Sequence, residues 1–125
     1  MNPAIKLSVL VAEDESLLRM MATDMFEDAG FRVVEASSGE AAAELLKAAP
    51  VSALFTDVEL LGTMNGFQLA KISYERDPHA AILVVSGRQL PKPDDLPPGA
   101  IFLSKPYDLQ RVLQSLQQLI DNKAS

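Results

Sequence analysis

The stretch Ala53-Leu54-Phe55-Thr56-Asp57 decides how the fold is interpreted, because an apolar run ends abruptly in a carboxylate. Turn-forming residues flank the run, Ala49-Pro50 before it and Leu61-Gly62-Thr63 after it. A short apolar run between turns predicts a strand that is buried on both faces. An acid at its end lies at the carboxyl edge of the sheet, where open α/β sheets bind ligands. Taken alone, Asp57 is better explained as a cap of the next loop, so the other strands decide its meaning.

Composition and charge narrow the class of protein. The 125 residues, 48% hydrophobic and 22% charged, predict one globular domain. The absence of cysteine excludes disulfides, thiolate metal sites and cysteine nucleophiles. A formal charge of −6 without a basic stripe argues against binding to nucleic acid or to an anionic membrane. No signal-peptide core and no apolar run of membrane length is present, so a cytoplasmic location is expected.

Strands and helices are predicted to alternate along the chain. Apolar runs predict strands, and apolar residues at helical spacing predict helices. The strands are expected at residues 7–12, 31–36, 53–57, 81–85 and 100–103, and the helices at residues 17–29, 40–49, 67–76 and 109–120. Such alternation favours a parallel sheet with helices on both faces and right-handed crossovers, and we expect the strand order 2-1-3-4-5.

Three local patterns refine this prediction. Ser37 and Glu40 have the spacing of a capping box at the start of the second helix. Four prolines within residues 88–99 argue against a regular helix between the fourth and fifth strands. A stripe of apolar residues in the first helix is interpreted as core filler: Leu17, Leu18, Met21 and Met25.

Chemically active side chains follow four of the predicted strands, and parallel strands bring such residues to one edge of the sheet. They are Glu13 and Asp14 after the first strand, Asp57 after the third, Ser86 after the fourth and Lys105 after the fifth. Two unit charges about 4 Å apart repel by roughly 4 kcal/mol at an effective dielectric near 20. Three carboxylates therefore need a cation, and oxygen ligands favour Mg²⁺. A carboxylate beside a divalent ion, a hydroxyl and an ammonium suits phosphoryl transfer, with the aspartate as nucleophile.

Over essentially its whole length the chain resembles the receiver domains of two-component response regulators. The resemblance rests on Glu13-Asp14, Asp57, Ser86-Gly87 and Lys105-Pro106-Tyr107, which occur in this order at predicted strand ends. It implies a flavodoxin-like α/β fold, a doubly wound five-stranded parallel sheet of order 2-1-3-4-5. Ser86-Gly87 further resembles a proteobacterial subgroup in which the fourth helix is short or missing, and the prolines of residues 88–99 agree with that.

The resemblance implies a phosphoacceptor and a metal. Asp57 would take a phosphoryl group from the phosphohistidine of a histidine kinase or a histidine phosphotransfer protein. The implied cofactor is Mg²⁺, ligated by Asp14, Asp57 and the backbone carbonyl of Glu59, with Glu13 acting through a metal-bound water. His79, the only histidine, is interpreted as a surface-loop residue, so another protein supplies the donor histidine.

The resemblance also implies roles for residues around the acceptor. Lys105 would pair with the phosphoryl oxygens, and Ser86 would move to hydrogen-bond one of them. Phe102 would be the switch aromatic whose rotamer follows that movement. The Lys105-Pro106 peptide bond is expected to be cis, an isomer that is accessible only before proline.

Two further residues are predicted to tune how long the acyl phosphate lasts. Glu59 lies two residues beyond Asp57, and Arg88 lies two residues beyond Ser86. An ion pair between Glu59 and Arg88 would shield the phosphoryl group from water. The segment 88–99 is predicted to be a flexible loop that phosphorylation would order.

The biological role is less defined than the chemistry. Residues 1–125 are expected to form a stand-alone receiver domain without an output domain, catalysing only its own phosphorylation and dephosphorylation. It would signal by protein contact, relay phosphoryl groups or act as a phosphate sink, and a homodimer is left open. The alternatives are a Mg²⁺-dependent phosphatase of the haloacid-dehalogenase type, which also uses Asp, Ser or Thr and Lys in that order, and a non-phosphorylated pseudo-receiver that acts as a binding module.

Overall fold

The computed structural model describes residues 7–124, in which five strands and four helices follow one another. They are β1 (Ser8–Ala12), α1 (Ser16–Asp28), β2 (Arg32–Ala36), α2 (Gly39–Ala48), β3 (Ala53–Asp57), α3 (Gly66–Arg76), β4 (Ala81–Ser86), β5 (Ile101–Ser104) and α4 (Leu109–Ala124). None of the described helices has the length and apolar character needed to cross a membrane.

The strands form one parallel sheet in the order β2-β1-β3-β4-β5. This confirms the predicted doubly wound sheet and its strand order. The register places Asp57 level with Val85, and Ser86 level with Ser104. The ends of β3, β4 and β5 therefore lie side by side at one edge.

Alternate residues of the strands fill two hydrophobic cores, one on each face of the sheet. All residues of β3 and β4 are buried, as expected for strands covered by helices on both faces. One core lies under α1 and α4 and includes Val9, Val11, Phe26, Phe55, Leu83 and Leu116. The other lies under α2 and α3 and includes Leu10, Leu46, Leu54, Leu69, Ile82 and Val84.

The start of α2 differs from the predicted capping box. Ser38, not Ser37, is the N-cap, and its hydroxyl accepts a hydrogen bond from the Ala41 amide at 3.1 Å. The Glu40 side chain instead accepts hydrogen bonds from the amide and hydroxyl of Thr63, each at 2.9 Å. The capping-box prediction was wrong because a contact between distant parts of the chain takes up Glu40.

The interpretation of the α1 stripe as core filler was also partly wrong. The helix packs on the sheet through Ala22, Thr23 and Phe26, which are buried. This orientation turns Leu17 and Met21 outward, where they are 61% and 46% exposed. Leu17 and Met21 are therefore not part of the core under α1.

The segment 87–100 between β4 and β5 contains turns and no helix. Its central turn is held by the Asp95 carboxylate, which accepts the Lys92 amide at 2.8 Å, and by the Asp95 amide, which donates to the Lys92 carbonyl at 3.0 Å. Pro97 is buried, whereas Leu90 is 74% exposed. The prolines thus replace a helix by an extended path with two turns.

Candidate functional site

Backbone hydrogen bonds continue past the strand ends and fix the residues that carry the chemistry. The Glu13 amide donates to the Ala36 carbonyl at 3.1 Å, the Val58 amide to the Val85 carbonyl at 2.9 Å, and the Lys105 amide to the Ser86 carbonyl at 2.9 Å. The candidate residues thus sit on or beside rigid sheet backbone, which limits how far their side chains move.

Asp57 and Lys105 form the central contact of the site. Lys105 Nζ lies 2.7 Å from Asp57 Oδ2, and the Asp57 side chain is only 5% exposed. Burial alone would lower the pKa of Lys105, but the hydrogen bond and charge of Asp57 outweigh it and raise the pKa above its usual value. Lys105 is thus a fixed positive charge beside a buried carboxylate.

The second oxygen of Asp57 is also held. Asp57 Oδ1 accepts a hydrogen bond from the Glu59 amide at 3.1 Å. The Asp57 carboxylate therefore accepts a hydrogen bond from an ammonium group on one oxygen and from a backbone N–H on the other. Both are the kinds of donor that stabilise negative charge on a carboxylate or on a group attached to it.

Glu13 places a second carboxyl group in the same buried region. The residue is 4% exposed, and its Oε2 accepts the Glu15 amide at 3.1 Å. Burial, with smaller contributions from a hydrogen bond to Asp14 and the charge of Asp57, raises the pKa of Glu13 to about 7. Burial thus disfavours the ionised form of Glu13, and a further cation nearby would favour it.

The metal ligands are not pre-arranged as an acidic cluster. Within residues 7–124, no three His, Cys, Asp or Glu side chains already stand where they would hold a metal ion. The Asp57 carboxylate faces Lys105, and Glu13 is turned towards the Glu15 amide. Any ion would therefore rely on fewer carboxylates together with backbone oxygen and water.

Ser86 contacts Glu59 and the following loop. Its hydroxyl lies 2.7 Å from Glu59 Oε2 and accepts the Arg88 and Gln89 amides at 3.1 and 2.9 Å. The Gln89 side-chain amide donates to the same Glu59 oxygen at 3.1 Å. Among the described residues no ion pair joins Glu59 to Arg88, so the predicted pair is absent here. That these two residues tune the lifetime of the acyl phosphate stays a prediction. The carboxylate of Glu59 is occupied by Ser86 and Gln89 instead.

The structure also describes three further features that the sequence singled out. The Lys105-Pro106 peptide bond is cis, the isomer that the resemblance implies. Phe102 is half-buried and its ring centroid lies 6.5 Å from that of Phe67, so it belongs to the core under α2 and α3. His79 is exposed in a turn after α3.

An apolar cavity of about 340 Å³ opens next to the Asp57–Lys105 pair, between α1 and the loop after β5. Its lining includes Met21 from α1, Phe55 from β3 and Tyr107 from the loop. The Phe55 and Tyr107 rings meet edge to face at 6.4 Å. Met21, one of the outward-turned residues of α1, thus borders a cavity that reaches Lys105.

The family model of the response regulator receiver domain matches residues 9–117. The chain belongs to this receiver family. Receiver domains are the signalling modules of two-component systems, and the order of acidic pair, aspartate, serine and lysine found here is theirs. The sequence prediction of a two-component receiver domain is therefore confirmed.

The similarity to individual receiver proteins and receiver domains extends over most of the chain. The chain is 31% identical over 115 residues to the response regulator receiver protein CpdR of Brucella abortus, covering 90% of this chain and 95% of that protein. The crystal structure of a response regulator receiver protein from Sinorhizobium medicae superposes with a TM-score of 0.90 at 30% identity, covering 94% of this chain and 97% of that one. The receiver domain of the hybrid histidine kinase CckA gives 0.76 at 26% identity, over 90% and 98%.

Sequence reasoning missed two contacts of this receiver. Glu40 ties the loop after Asp57 to the start of α2 through Thr63, and Gln89 holds the Glu59 carboxylate. Gly62 has a φ of +94°, which favours glycine, and a Cβ there would lie 2.5 Å from Glu40 Oε1. The isolated glycine was the one available signal for the Glu40 contact. Gln89 had none.

We expect Glu13→Gln to stabilise the metal-free receiver in a pH-dependent way. Glu13 is protonated in both states below its unfolded value of 4.5, so no difference exists there. As the pH rises from 4.5 to about 7, the unfolded chain loses this proton and the folded chain keeps it, so the wild type loses stability. Glutamine avoids that loss and still accepts the Glu15 amide, giving an advantage of about 3 kcal/mol near pH 8.

Denaturant unfolding in a chelator, across this pH range, measures the effect. Glu27→Gln, an exposed change on α1, is the matched control and is expected to show no such pH dependence. An advantage of Glu13→Gln that is the same at both ends of the range would mean that ionisation of Glu13 is not its cause.

Proposed function

We propose that this receiver takes a phosphoryl group from a phosphohistidine onto Asp57 in a Mg²⁺-dependent reaction. The observation that carries the proposal is the buried Asp57 carboxylate with Lys105 Nζ at 2.7 Å from one oxygen. A carboxylate held by a cation at a sheet edge is suited to nucleophilic attack and to binding the charged product.

The transfer forms one bond and breaks one. An oxygen of the Asp57 carboxylate attacks phosphorus, and the bond from phosphorus to the donor imidazole nitrogen breaks. The bonding electron pair leaves with the imidazole, and Asp57 becomes an acyl phosphate. Lys105 then faces the phosphoryl oxygens and offsets their charge. Water later returns the carboxylate and inorganic phosphate, so the receiver catalyses only its own phosphorylation and dephosphorylation.

The donor set fits a magnesium ion. Asp14 and Asp57 would supply carboxylate ligands, the Glu59 carbonyl a third, and Glu13 would act through a metal-bound water. Within residues 7–124 no hydrogen bond ends on the Glu59 carbonyl oxygen, which leaves it available as a ligand. Burial raises the pKa of Glu13, and a divalent cation nearby would favour its carboxylate form. Bound Mg²⁺ would neutralise charge on the transferring phosphoryl group.

The phosphoryl donor we propose is a histidine kinase or a histidine phosphotransfer protein. The apolar cavity beside Lys105, the partner of Asp57, is bordered by the exposed Met21 of α1, which suits the docking of a protein that carries the donor imidazole. Output by protein contact, relay or phosphate sink stays a prediction. So do the single-domain organisation of residues 1–125, the Ser-Gly subgroup and a cytoplasmic location.

Phosphorylation of the protein by a small acyl phosphate tests the proposal. Incubation with Mg²⁺ is expected to add one labile phosphate to the intact mass, and chelation of the metal is expected to prevent it. Reductive trapping and peptide mapping then locate the modified residue. Label on a residue other than Asp57, or turnover of phosphomonoesters without a labelled protein, would contradict the proposal, the latter in favour of a phosphatase.

A further inference from the structure

The Ser86 side chain is held in this structure by three groups. The residue is 2% exposed, and its hydroxyl lies 2.7 Å from Glu59 Oε2 and 3.0 Å from Oε1. The Arg88 and Gln89 amides donate to the hydroxyl oxygen at 3.1 and 2.9 Å. A hydroxyl carries a single proton, and here that proton goes to the Glu59 carboxylate. A new acceptor gains this proton only if Glu59 gives it up.

Glu59 contacts both Asp57 and Ser86. Its amide donates to Asp57 Oδ1 at 3.1 Å, while its carboxylate accepts from Ser86. Gln89 steadies that carboxylate through a hydrogen bond of 3.1 Å to Oε2. One residue thus links the acceptor aspartate to the serine and to the first turn of the segment after β4.

We infer that Glu59 and Gln89 form a latch that holds Ser86 in the unphosphorylated state, an inference that rests on the proposed function. A phosphoryl group on Asp57 brings negative charge beside the residue whose carboxylate already holds Ser86. Like charges repel more strongly in a poorly solvated site, so the Glu59 carboxylate is driven off Ser86. The freed hydroxyl then donates to a phosphoryl oxygen.

Opening of the latch affects the protein surface through the backbone of the segment after β4. The Arg88 and Gln89 amides lose their acceptor when Ser86 turns, so the segment that begins at Gly87 must find new partners. Leu90, which follows directly, is 74% exposed. The latch thus couples the charge at Asp57 to the position of an exposed apolar side chain.

Binding of a phosphoryl analogue, beryllofluoride with Mg²⁺, provides the first test. Gln89→Ala weakens the latch without touching the acceptor, so analogue affinity is expected to rise about 3- to 10-fold, the worth of one hydrogen bond. Gln117→Ala, an exposed change on α4, is the matched control and leaves affinity unchanged. In a Ser86→Ala background the gain from Gln89→Ala is expected to vanish, because the latch then has nothing to hold.

Amide hydrogen exchange of the metal-free protein provides the second test, and it needs no phosphoryl chemistry. Glu59→Ala is expected to speed exchange at the Arg88 and Gln89 amides about 10-fold. Unchanged affinity with Gln89→Ala, a gain that persists without the Ser86 hydroxyl, or unchanged exchange with Glu59→Ala would each overturn the latch. Failure of the wild type to bind the analogue would instead count against the proposed function, and exchange would still decide the latch.

Discussion

Asp57→Asn is expected to abolish phosphoryl uptake while leaving the fold intact. The amide side chain is neutral and has no carboxylate oxygen to attack phosphorus. A fall of at least about 1,000-fold in the rate of labelling is expected, as for other lost nucleophiles. The size and shape of the side chain are kept, so the sheet edge and the hydrogen bonds beyond it stay in place.

The same substitution tests the electrostatics of the site. In the wild type the Glu59 amide and Lys105 Nζ donate to separate oxygens of Asp57, at 3.1 and 2.7 Å. Asparagine has one side-chain oxygen for these two donors. Lys105 is 30% exposed and reaches water, and repulsion with Glu13 disappears. The two effects oppose each other, so the free energy of unfolding is expected to change by less than about 2 kcal/mol.

Loss of the Asp57 charge is also expected to lower the pKa of Glu13. Burial is the main cause that raises this pKa, and the Asp57 charge raises it further. Titration of Glu13 by carboxyl NMR in wild type and variant measures this. Asp24→Asn, an exposed change on α1, is the matched control for both labelling and titration. Labelling of Asp57→Asn at the rate of the wild type would place the acceptor on another residue.

The sheet was predictable from the sequence because its signal is local. Apolar runs of four to six residues gave the strands, and their order followed from alternation and the family resemblance. Side chains at strand ends, such as Asp57 and Lys105, were placed by the same logic, since a parallel sheet aligns its carboxyl ends. Their contact at 2.7 Å follows from that alignment.

Contacts made by loop side chains were not predictable in this way. Glu40 has the spacing of a capping residue, yet it binds Thr63, which is 23 positions away. Glu59 and Arg88 have opposite charges, yet Glu59 binds Ser86 and Gln89. In both cases the carboxylate accepts hydrogen bonds from neutral donors and does not bind the partner that charge or spacing suggests. Which partner it binds depends on the geometry of the loops. The outward turn of Met21 arises similarly, because the packed face of α1 is set by Phe26.

Gly66→Ala is expected to destabilise the receiver by about 3 kcal/mol or more, although alanine is the better helix former. Gly66 is the first residue of α3, where its amide donates to the Val58 carbonyl at 2.9 Å. A Cβ there would lie 2.8 Å from the Asp57 carbonyl carbon and 2.8 Å from Val58 Cα. Both atoms belong to backbone, which has no rotamer with which to move aside.

Relief of this clash would displace the end of β3, and with it the proposed acceptor. The Val58 amide is bonded to β4 at 2.9 Å, and the Asn65 cap fixes the start of α3 through Gln68 at 2.9 Å. Neither side of the contact is free to yield. Phosphoryl uptake by Gly66→Ala is therefore expected to fall together with stability, which links the packing of one glycine to the geometry of Asp57.

Gly87→Ala is the matched control, because it adds the same methyl group beside a side chain that is able to move. Its Cβ would lie 3.3 Å from Lys105 Cδ and 3.4 Å from Lys105 Cβ. A loss of less than about 1 kcal/mol is expected, since a small shift of a long side chain relieves the contact. Urea unfolding of both variants measures the difference. Equal midpoints would mean that the loop between β3 and α3 yields to a methyl group, and that its backbone does not fix the position of Asp57.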